Sequence, residues 1–411
     1  MKKTNETPKP KTYDIEEYRR KKKREKLLRH LARGGAVLLI LAAIFGGVYL
    51  YQRYDLEQIL KNAAENAGNN PPAAAVKTTS FPVTLDSVEP LEIQALGSSV
   101  ALLTSDEAAL LDVDGKTSFQ FVHGFTNPVL KAGDERVLTY DRGGYGFRLD
   151  SRQGNLYTGR SSNTILTGAA GHGAVFALVT TEPHYAGSVT VYNKAGEELV
   201  KWYSSDQIVD VDFSSDDSRL AAACVSFDKS GELVASVHVI DIRKETEVAA
   251  PEFSGVLPVA VDYKKGGRIH LVCDSALAIA EKDLKTTRTE PYLRQLQAYA
   301  FTEEETLLVS SDSHEAASTI TLTPGEGESR SVTVPAAVED IAASGDGVSV
   351  LMASEVRRYT QKFELAGTYR VSSGVFRIEM AGDRVFSLSK SYLDVLGDKE
   401  TESPAESEGS N

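Results

Sequence analysis

The chain has 411 residues, of which 41% are hydrophobic and 25% are charged, and this composition is that of a globular protein. Its formal charge of −13 is unevenly divided. Residues 1–33 carry 13 Lys and Arg against 5 Asp and Glu, whereas residues 34–411 carry 32 against 53. The acidic composition of residues 34–411 excludes binding to nucleic acid or another polyanion, because such binding requires clustered cations.

The first predicted element is a transmembrane helix over residues 34–51, which contain no charged side chain. Eighteen residues of helix rise about 27 Å, close to the roughly 30 Å hydrocarbon core of a bilayer. The basic run at residues 19–24 precedes this stretch, and cationic flanks stay on the cytoplasmic side. We therefore expect a basic cytoplasmic segment at 1–33, contact with the lipid bilayer through 34–51, and everything that follows to be extracellular.

Two other interpretations of residues 34–51 are less consistent with the sequence. A buried core helix would have a polar face, and this stretch has none. A cleaved signal peptide would have a shorter basic region and a small-x-small cleavage site, but bulky residues follow at 49–53. The small residues at Ala42/Gly46 and Ala43/Gly47 allow close approach of two such helices, and hence a weak homodimer.

The rest of the chain divides into three parts. Residues 52–80 form a polar, Ala-rich juxtamembrane stalk and linker, in which Asn69-Asn70-Pro71-Pro72 ends the helical pattern. Residues 398–411 have no apolar side chain larger than Ala, which predicts a disordered acidic tail. Between them, residues 81–397 have almost no helical periodicity and are predicted to be all-β.

This all-β region repeats itself. Strand-like apolar runs flank Gly/Asp turns whose aspartates, at 134, 216, 346 and 383, are 82, 130 and 37 residues apart. These intervals fit two, three and one copies of a unit of about 40 residues, the length of a four-stranded propeller blade. Weaker copies of the turn fill the gaps, at Gly97, Gly171 to Gly173, Gly266-Gly267 and Glu303-Glu304.

Eight units predict a β-propeller of about eight four-stranded blades, with seven blades or an array of two-sheet sandwiches as the alternatives. The last unit offers only three strands, at 376–380, 384–388 and 392–396. Residues 81–85 supply a fourth, so that both ends of the domain close the ring and remove the exposed sheet edges.

Several motifs resemble those of known propellers. The segment 211–222 resembles the second-strand motif of WD-type repeats without the WD dipeptide, and 191–202 resembles the outer-strand motif of pyrroloquinoline-quinone (PQQ)-type repeats. With the blade-like segment 137–149, the whole layout is similar to an uncharacterised family of Gram-positive, largely clostridial proteins. That resemblance implies one membrane helix and an extracytoplasmic PQQ-like propeller of unknown function.

No catalytic, cofactor-binding or metal-binding residue is predicted. Asp112 to Thr117 lacks the glycine and glutamate spacing of a calcium loop and is interpreted as a hairpin turn. The glycine-rich stretch 168–173 lies between strands, with no following helix to bind a phosphate, and is interpreted as a turn. The ectodomain histidines form no HxH or HExxH pair, and His238 and His270 are interpreted as satisfied structural residues. The two cysteines, Cys224 and Cys273, are expected to be buried free thiols.

These features favour a non-enzymatic module of the cell envelope that binds or scaffolds proteins or other ligands, without a cofactor. Two alternatives stay open. One is a hydrolase or lyase acting on envelope carbohydrate, with its site on the propeller axis. The other is a sensor that acts through the membrane helix and a cytoplasmic partner. An acidic or apolar channel with an aromatic patch on one face would favour binding, whereas converging His, Arg, Tyr and carboxylates would favour an enzyme.

Overall fold

The computed structural model describes residues 81–85, 88–173, 175–312 and 317–397. No helix long and apolar enough to cross a membrane occurs within these ranges. The predicted cytoplasmic segment 1–33, membrane helix 34–51, linker 52–80 and tail 398–411 lie outside the described residues.

The described residues form eight antiparallel sheets in chain order, each of at least four strands. Blade 1 comprises β2 (Pro90–Leu96), β3 (Ser99–Thr104), β4 (Glu107–Leu111) and β5 (Thr117–Val122). Blade 2 comprises β6 (Pro128–Ala132), β7 (Arg136–Asp141), β8 (Gly146–Ser151) and β9 (Gly154–Arg160). Blade 3 comprises β10 (Ile165–Ala170), β11 (Val175–Thr180), β12 (Gly187–Asn193) and β13 (Glu198–Ser204). Blade 4 comprises β14 (Gln207–Phe213), β15 (Arg219–Phe227), β16 (Leu233–Asp241), β17 (Thr246–Ala249) and β18 (Glu252–Ser254).

The remaining blades follow the same order. Blade 5 comprises β19 (Pro258–Tyr263), β20 (Ile269–Cys273), β21 (Ala276–Ala280) and β22 (Thr287–Pro291). Blade 6 comprises β23 (Gln295–Phe301), β24 (Glu305–Ser311), β25 (Ser318–Pro324) and β26 (Arg330–Val334). Blade 7 comprises β27 (Asp340–Ser344), β28 (Gly347–Met352), β29 (Glu355–Tyr359) and β30 (Leu365–Arg370). Blade 8 comprises β31 (Val375–Ala381), β32 (Arg384–Ser389), β33 (Tyr392–Leu396) and β1 (Val83–Thr84).

The four strands of a blade are called A to D from the axis outwards. The A strands of neighbouring blades pack against each other around the axis, except for β19 and β23 of blades 5 and 6, which make little contact. The A–B and C–D turns lie at one end of the strands, called the lower face here, and the B–C turns and D–A links lie at the other end, the upper face. The described chain both starts, at Phe81, and ends, at Gly397, on the lower face, because β1 runs towards the upper face and β33 away from it.

The ring is closed as the sequence predicts. Strand β1 pairs antiparallel with β33 in the register Val83↔Leu393 and Thr84↔Tyr392, which supplies the D strand of blade 8. The predicted eight-bladed all-β fold is therefore confirmed. All eight predicted turn positions, strong and weak, lie in the A–B turns of successive blades.

The core consists of one cluster of buried apolar side chains at each of the eight seams between adjacent blades of the described chain. Each sheet packs one blade on either side, so its inner strands are buried on both faces. This explains why Leu220 to Cys224 in β15 and Ile269 to Cys273 in β20 are fully buried runs without the alternation of a half-exposed strand.

One detail of the turn predictions is wrong. The stretch 168–173 was expected to be a turn throughout, but residues 168–170 continue β10 and only 171–173 lie in the turn. Gly168 is needed within the strand because a Cβ there would lie 2.7 Å from the carbonyl oxygen of Ala177 on the neighbouring strand.

Candidate functional site: the axial channel and the upper face

The A strands that surround the axis carry six carboxylates and two cations among the described residues. The carboxylates are Glu92, Asp210, Asp212, Asp262, Asp340 and Glu379, and the cations are Lys131 and Arg377. All of these side chains except exposed Arg377 are half-buried; Asp262 exposes 18% of its side chain and Asp340 exposes 14%. The axis is therefore an acidic channel whose groups touch solvent while protein surrounds them.

Several of these polar side chains connect one blade to the next. An A strand has no neighbouring strand on its axial edge, so polar side chains bond its free backbone groups instead. Side-chain oxygens on one A strand accept hydrogen bonds from amides of the next one. The bonds are Gln94 Oε1 with Ala132 N (2.7 Å), Asp210 Oδ2 with Val261 N (3.1 Å), Asp212 Oδ2 with Tyr263 N (2.7 Å) and Asp340 Oδ2 with Ile378 N (2.8 Å).

Crowding of carboxylates on the axis changes their acidity. Burial, and then the charge of neighbouring Asp262, raises the pKa of Asp212 to about 7. Burial raises the pKa of Glu379 to about 8, and the nearby charges of Asp340 and Glu92 act in the same direction. Burial also raises the pKa of Asp210, although its two backbone donors and Lys131 oppose this. The channel therefore holds protons on some of its carboxylates near neutral pH.

Lys131 is the cation that faces this group from blade 2. Burial by itself lowers the pKa of Lys131, but Asp210, Tyr140, Glu92 and Tyr299 outweigh burial and raise it. Its ammonium forms no ion pair within 4 Å among the described residues. It is held by the general negative field of the channel and not by one carboxylate.

The carboxylates are not arranged as a metal site. Within the described ranges, no group of three or more His, Cys, Asp or Glu side chains has the geometry to hold a metal ion. Several channel carboxylates are instead engaged by backbone amides of the adjacent blade. The chemistry that the channel offers is attraction of cationic groups and exclusion of anions.

The upper face carries the second unusual feature, a concentration of exposed apolar side chains. Of the twelve large hydrophobic residues exposed in the described part of the chain, eight lie at upper-face strand ends, turns or links in blades 1 to 5. These eight are Val122, Tyr145, Tyr185, Tyr203, Phe227, Leu257, Val259 and Leu293. Exposed apolar residues gathered on one face indicate an interaction surface, whereas scattered ones do not.

Blade 4 extends this surface. Its hairpin strands β15 and β16 have nine residues each, and β14 pairs with β15 only as far as Val225. The end of the hairpin therefore projects beyond β14, and Phe227 there is 71% exposed. Strand β18, which pairs with the same end of β16, leads to Leu257. Leu293, on the next link, is fully exposed at 100%.

Two tyrosines on blade 3 form a preassembled aromatic contact on the same face. The rings of Tyr185 and Tyr203 lie 5.0 Å apart, and the Lys201 ammonium lies 5.1 Å from the centre of the Tyr203 ring. Lys201 is itself fixed by Glu182 at 2.7 Å. Rigid aromatic side chains of this kind contribute contact area at low entropic cost when a partner binds.

The Asp112 motif and the two cysteines have the structural roles predicted for them. Asp112 to Lys116 form the C–D turn of blade 1, in which Asp112 Oδ1 accepts the amides of Asp114 (3.0 Å) and Lys116 (2.9 Å). Cys224 and Cys273 are free and buried, as predicted. Burial raises the pKa of each thiol to about 12.

His238 and His270 both lie in strands, as predicted, but only His238 is fully satisfied. It contacts Glu247 (Nδ1 to Oε2, 3.0 Å) and Ser236 (Nε2 to Oγ, 3.2 Å). His270 bonds Thr306 through Nδ1 at 2.8 Å, while its buried Nε2 has no hydrogen-bonding partner in the described structure. The prediction of a satisfied histidine is therefore wrong for one nitrogen of His270.

Fold and surface together define an eight-bladed β-propeller with an acidic axis and an apolar upper face. The solved structures that it resembles have this fold. BamB from Moraxella catarrhalis is 10% identical with a TM-score of 0.51 over 77% of this chain and 99% of that one. Apo AztD from Citrobacter koseri is 11% identical with a TM-score of 0.50 over 76% and 90% of the two chains. Identities this low establish the fold alone.

The chain belongs to the family described as "Family of unknown function (DUF5711)", whose model matches residues 78–393. No curated protein matches the sequence significantly. The acidic axis and the apolar face are properties of this chain, and neither set of residues was predicted from the sequence. The alternating Ile208-Val209-Asp210-Val211-Asp212 pattern was the available signal for the axis, since it places two carboxylates on one face of an A strand.

Proposed function

We propose that the propeller is a non-enzymatic protein-binding module of the cell envelope, anchored by residues 34–51, and that its upper face is the binding surface. The observation that carries this proposal is the concentration of eight of the twelve exposed large apolar residues of the described chain on that face. A stable partner covers apolar surface that would otherwise remain in water. Burying this surface is favourable by about 25 cal/mol per Å² of apolar area.

The charge of the upper face indicates what kind of partner fits. Its described turns and links carry nine acidic residues against four basic ones. The acidic residues are Glu89, Asp106, Glu182, Asp206, Asp228, Glu232, Asp274, Asp312 and Glu339, and the basic ones are Arg142, Lys229, Arg294 and Lys390. The lower-face turns are acidic as well, so charge does not distinguish the upper face from the lower face as a binding surface. It does select the partner: a protein segment that is both apolar and basic, and not a second copy of this acidic domain.

Site-specific photo-crosslinking in intact cells tests this proposal. A benzophenone amino acid is placed at Phe227 or Leu293, with Leu365 as the matched control, because Leu365 is 58% exposed but lies at the lower-face end of β30. We expect one discrete adduct from Phe227 and Leu293 and none from Leu365. The cross-linked partner peptide should contain more Lys and Arg than Asp and Glu, together with large apolar residues.

Two results would contradict the proposal. Equal adducts from all three positions would mean that the upper face is not special, and an acidic cross-linked peptide would contradict the charge argument.

The membrane topology has its own test, in which an impermeant protease is added to whole cells. If the propeller survives in whole cells but is digested after lysis, it lies inside the cell, and the proposed location in the cell envelope is wrong.

The alternative function, an envelope carbohydrate-active hydrolase or lyase, has one observation in its favour. Glu379, with its pKa raised to about 8, is protonated at neutral pH among other carboxylates, and such perturbed groups concentrate at catalytic sites. Against it, Asp210, Asp212 and Asp340 each bond a backbone amide of the next blade, which is a structural task. Release of reducing sugar from purified cell-wall material, lost in Glu379→Gln, would favour the enzyme.

A further inference from the structure

The seam between blades 5 and 6 is packed differently from the other seams. Among the described residues, its apolar cluster contains only four buried side chains, Val272, Leu277, Ile279 and Leu308, whereas each of the other seven clusters contains at least seven. Charged residues take over this seam near the lower face. The ammonium of Lys264, on blade 5, is buried there and bonds the carbonyl oxygens of Thr302 and Glu305 on blade 6, at 3.0 and 2.7 Å.

A cleft of about 630 Å³ opens at this seam on the lower face. Cleft volumes of roughly 300–1,000 Å³ are typical of small-molecule sites. The cations of the blade 5 wall are Lys264, Lys265, Arg268 and Lys282, and no carboxylate of blade 5 lines the cleft. The cleft is therefore cationic along one wall.

The opposite wall has the opposite charge. Blade 6 contributes the carboxylates Glu304, Glu305, Glu326 and Glu328, with Arg330 as its one cation. Ion pairs join blade 5 to blade 6 at Lys282 and Arg268, which both contact Glu326, and at Lys265, which contacts Glu303 at 3.0 Å. Arg330 neutralises Glu305 within blade 6 at 2.7 Å. Even with these pairs, one wall carries cationic side chains and the other carries mainly acidic ones.

Some of these groups lack partners. The guanidinium of Arg268 pairs with Glu281 through Nε at 2.5 Å, but its buried Nη1 has no hydrogen bond within the described structure. This nitrogen lies 4.0 Å from Oε1 of Glu326, too far for a hydrogen bond. The carboxylates of Glu304 and Glu328 form neither a hydrogen bond nor an ion pair among the described residues. Buried polar atoms are nearly always paired in native proteins, so an unpartnered guanidinium nitrogen at a cleft indicates a missing acceptor.

We propose that this cleft binds a small zwitterion of the size of an amino acid or a short peptide. The carboxylate of the ligand accepts a hydrogen bond from Arg268, and its ammonium group lies against Glu304 and Glu328. A zwitterion satisfies both walls at once, whereas a simple anion or cation would meet one repulsive wall. This site is on the lower face and does not depend on protein binding by the upper face.

Isothermal titration calorimetry on the full-length chain in detergent micelles tests the proposal with alanyl-alanine as the probe. Three forms of the dipeptide are compared: both ends free, N-acetylated, and C-amidated. We expect the free dipeptide to bind with a Kd below about 1 mM, and each blocked form to bind at least tenfold more weakly, since loss of one charged contact costs about 1.4 kcal/mol or more.

Variants separate the two ends of the ligand. The double substitution Glu304→Gln and Glu328→Gln affects exposed, unpaired carboxylates and should leave the fold intact while weakening the free dipeptide at least tenfold. Glu364→Gln, in the corresponding turn of blade 7, is the matched control and should have no effect. Arg268→Gln should remove the preference for the free over the amidated form; should it fail to fold, the glutamine pair still decides the matter.

Three outcomes would overturn the proposal. They are the absence of heat from the free dipeptide up to 20 mM (about twentyfold above the expected Kd), equal affinity for the three forms, and equal behaviour of the double variant and Glu364→Gln. None of them bears on the upper face. Conversely, failed cross-linking at Phe227 and Leu293 would leave the cleft unaffected.

Discussion

The acidic axis makes a quantitative prediction about stability and pH. Asp212→Asn keeps the size of the side chain and an oxygen that accepts the amide of Tyr263, but it cannot ionise. In the native protein the pKa of Asp212 is raised from 3.8 to about 7. The folded state therefore holds a proton that the unfolded state releases, and the free energy of unfolding falls as pH rises from about 4 to 7 and is constant above.

The size of the effect follows from the same shift. One pKa unit corresponds to about 1.4 kcal/mol, so the part of the shift between pH 5 and pH 7 is worth at most about 3 kcal/mol. Partial contact with solvent reduces this figure, and we expect about 1–3 kcal/mol. Asp212→Asn should thus gain stability over the parent protein, and the gain should be larger at pH 8 than at pH 5 by that amount.

Urea unfolding followed through the emission of Trp202, the only tryptophan of the chain, measures this difference. With a slope of about 3 kcal/mol per molar urea, the midpoint difference should change by up to about 1 M between the two pH values. Asp216→Asn is the control, because hydrogen bonds from Ser218 and Ser214 lower the pKa of Asp216 to about 2. This variant should be less stable than the parent protein by the same amount at pH 5 and pH 8. A variant at position 212 that is less stable than the parent at pH 8 would show that Asp212 is ionised and paired, and would refute the reasoning.

Three further predictions concern the seams and the core. Gly133→Ala should destabilise the protein by about 1–3 kcal/mol in the same urea assay, because its Cβ would clash with the carbonyl oxygen of Gly171 in the next blade. Gly345→Ala, at the equivalent turn of blade 7, meets no other atom and should be neutral within about 0.5 kcal/mol. Cys224 and Cys273 should not react with a thiol-specific dye at pH 8 until urea unfolds the protein, and then both should react; rapid native labelling would contradict the burial that raises their pKa to about 12. Lys264→Met should lower the free energy of unfolding by about 3–5 kcal/mol, since it leaves Asp262 without the ammonium at 2.7 Å, and an unchanged midpoint would mean that this buried pair is not formed.

The sequence was sufficient for the fold because a propeller is a local repeat. Each blade is a run of hairpins, so the Gly-Asp pairs that end at Asp134 and Asp346 mark A–B turns. Ring closure could be predicted for the same reason, since the last unit lacks one strand and the segment before the first unit supplies it. Strand β18 was not predicted, because a three-residue strand after Pro251 has too few residues to establish a period.

The surfaces could not be predicted because exposure is not local. Phe227 ends an apolar strand and looks like a core residue; it is exposed because β14 stops at the level of Val225, which only the pairing register reveals. The axial carboxylates come from five different blades, and alternation within one strand cannot distinguish an axis-facing residue from a solvent-facing one. Likewise, Arg268 and Glu304 are 36 residues apart, and nothing in either turn indicates that they line one cleft.

A ring of equivalent units makes its own exceptions informative. If stability were the only requirement, apolar side chains could fill every seam. They fill seven of the described seams, although the clusters differ in size. The seam between blades 5 and 6 instead contains buried Lys264, an unpartnered nitrogen of His270 and an open charged cleft, each of which costs stability that apolar side chains would supply. The long hairpin of blade 4 leaves Phe227 in water on the opposite face. Departures from the repeat that lower stability without improving the packing are best explained by binding, and here they lie on two separate faces.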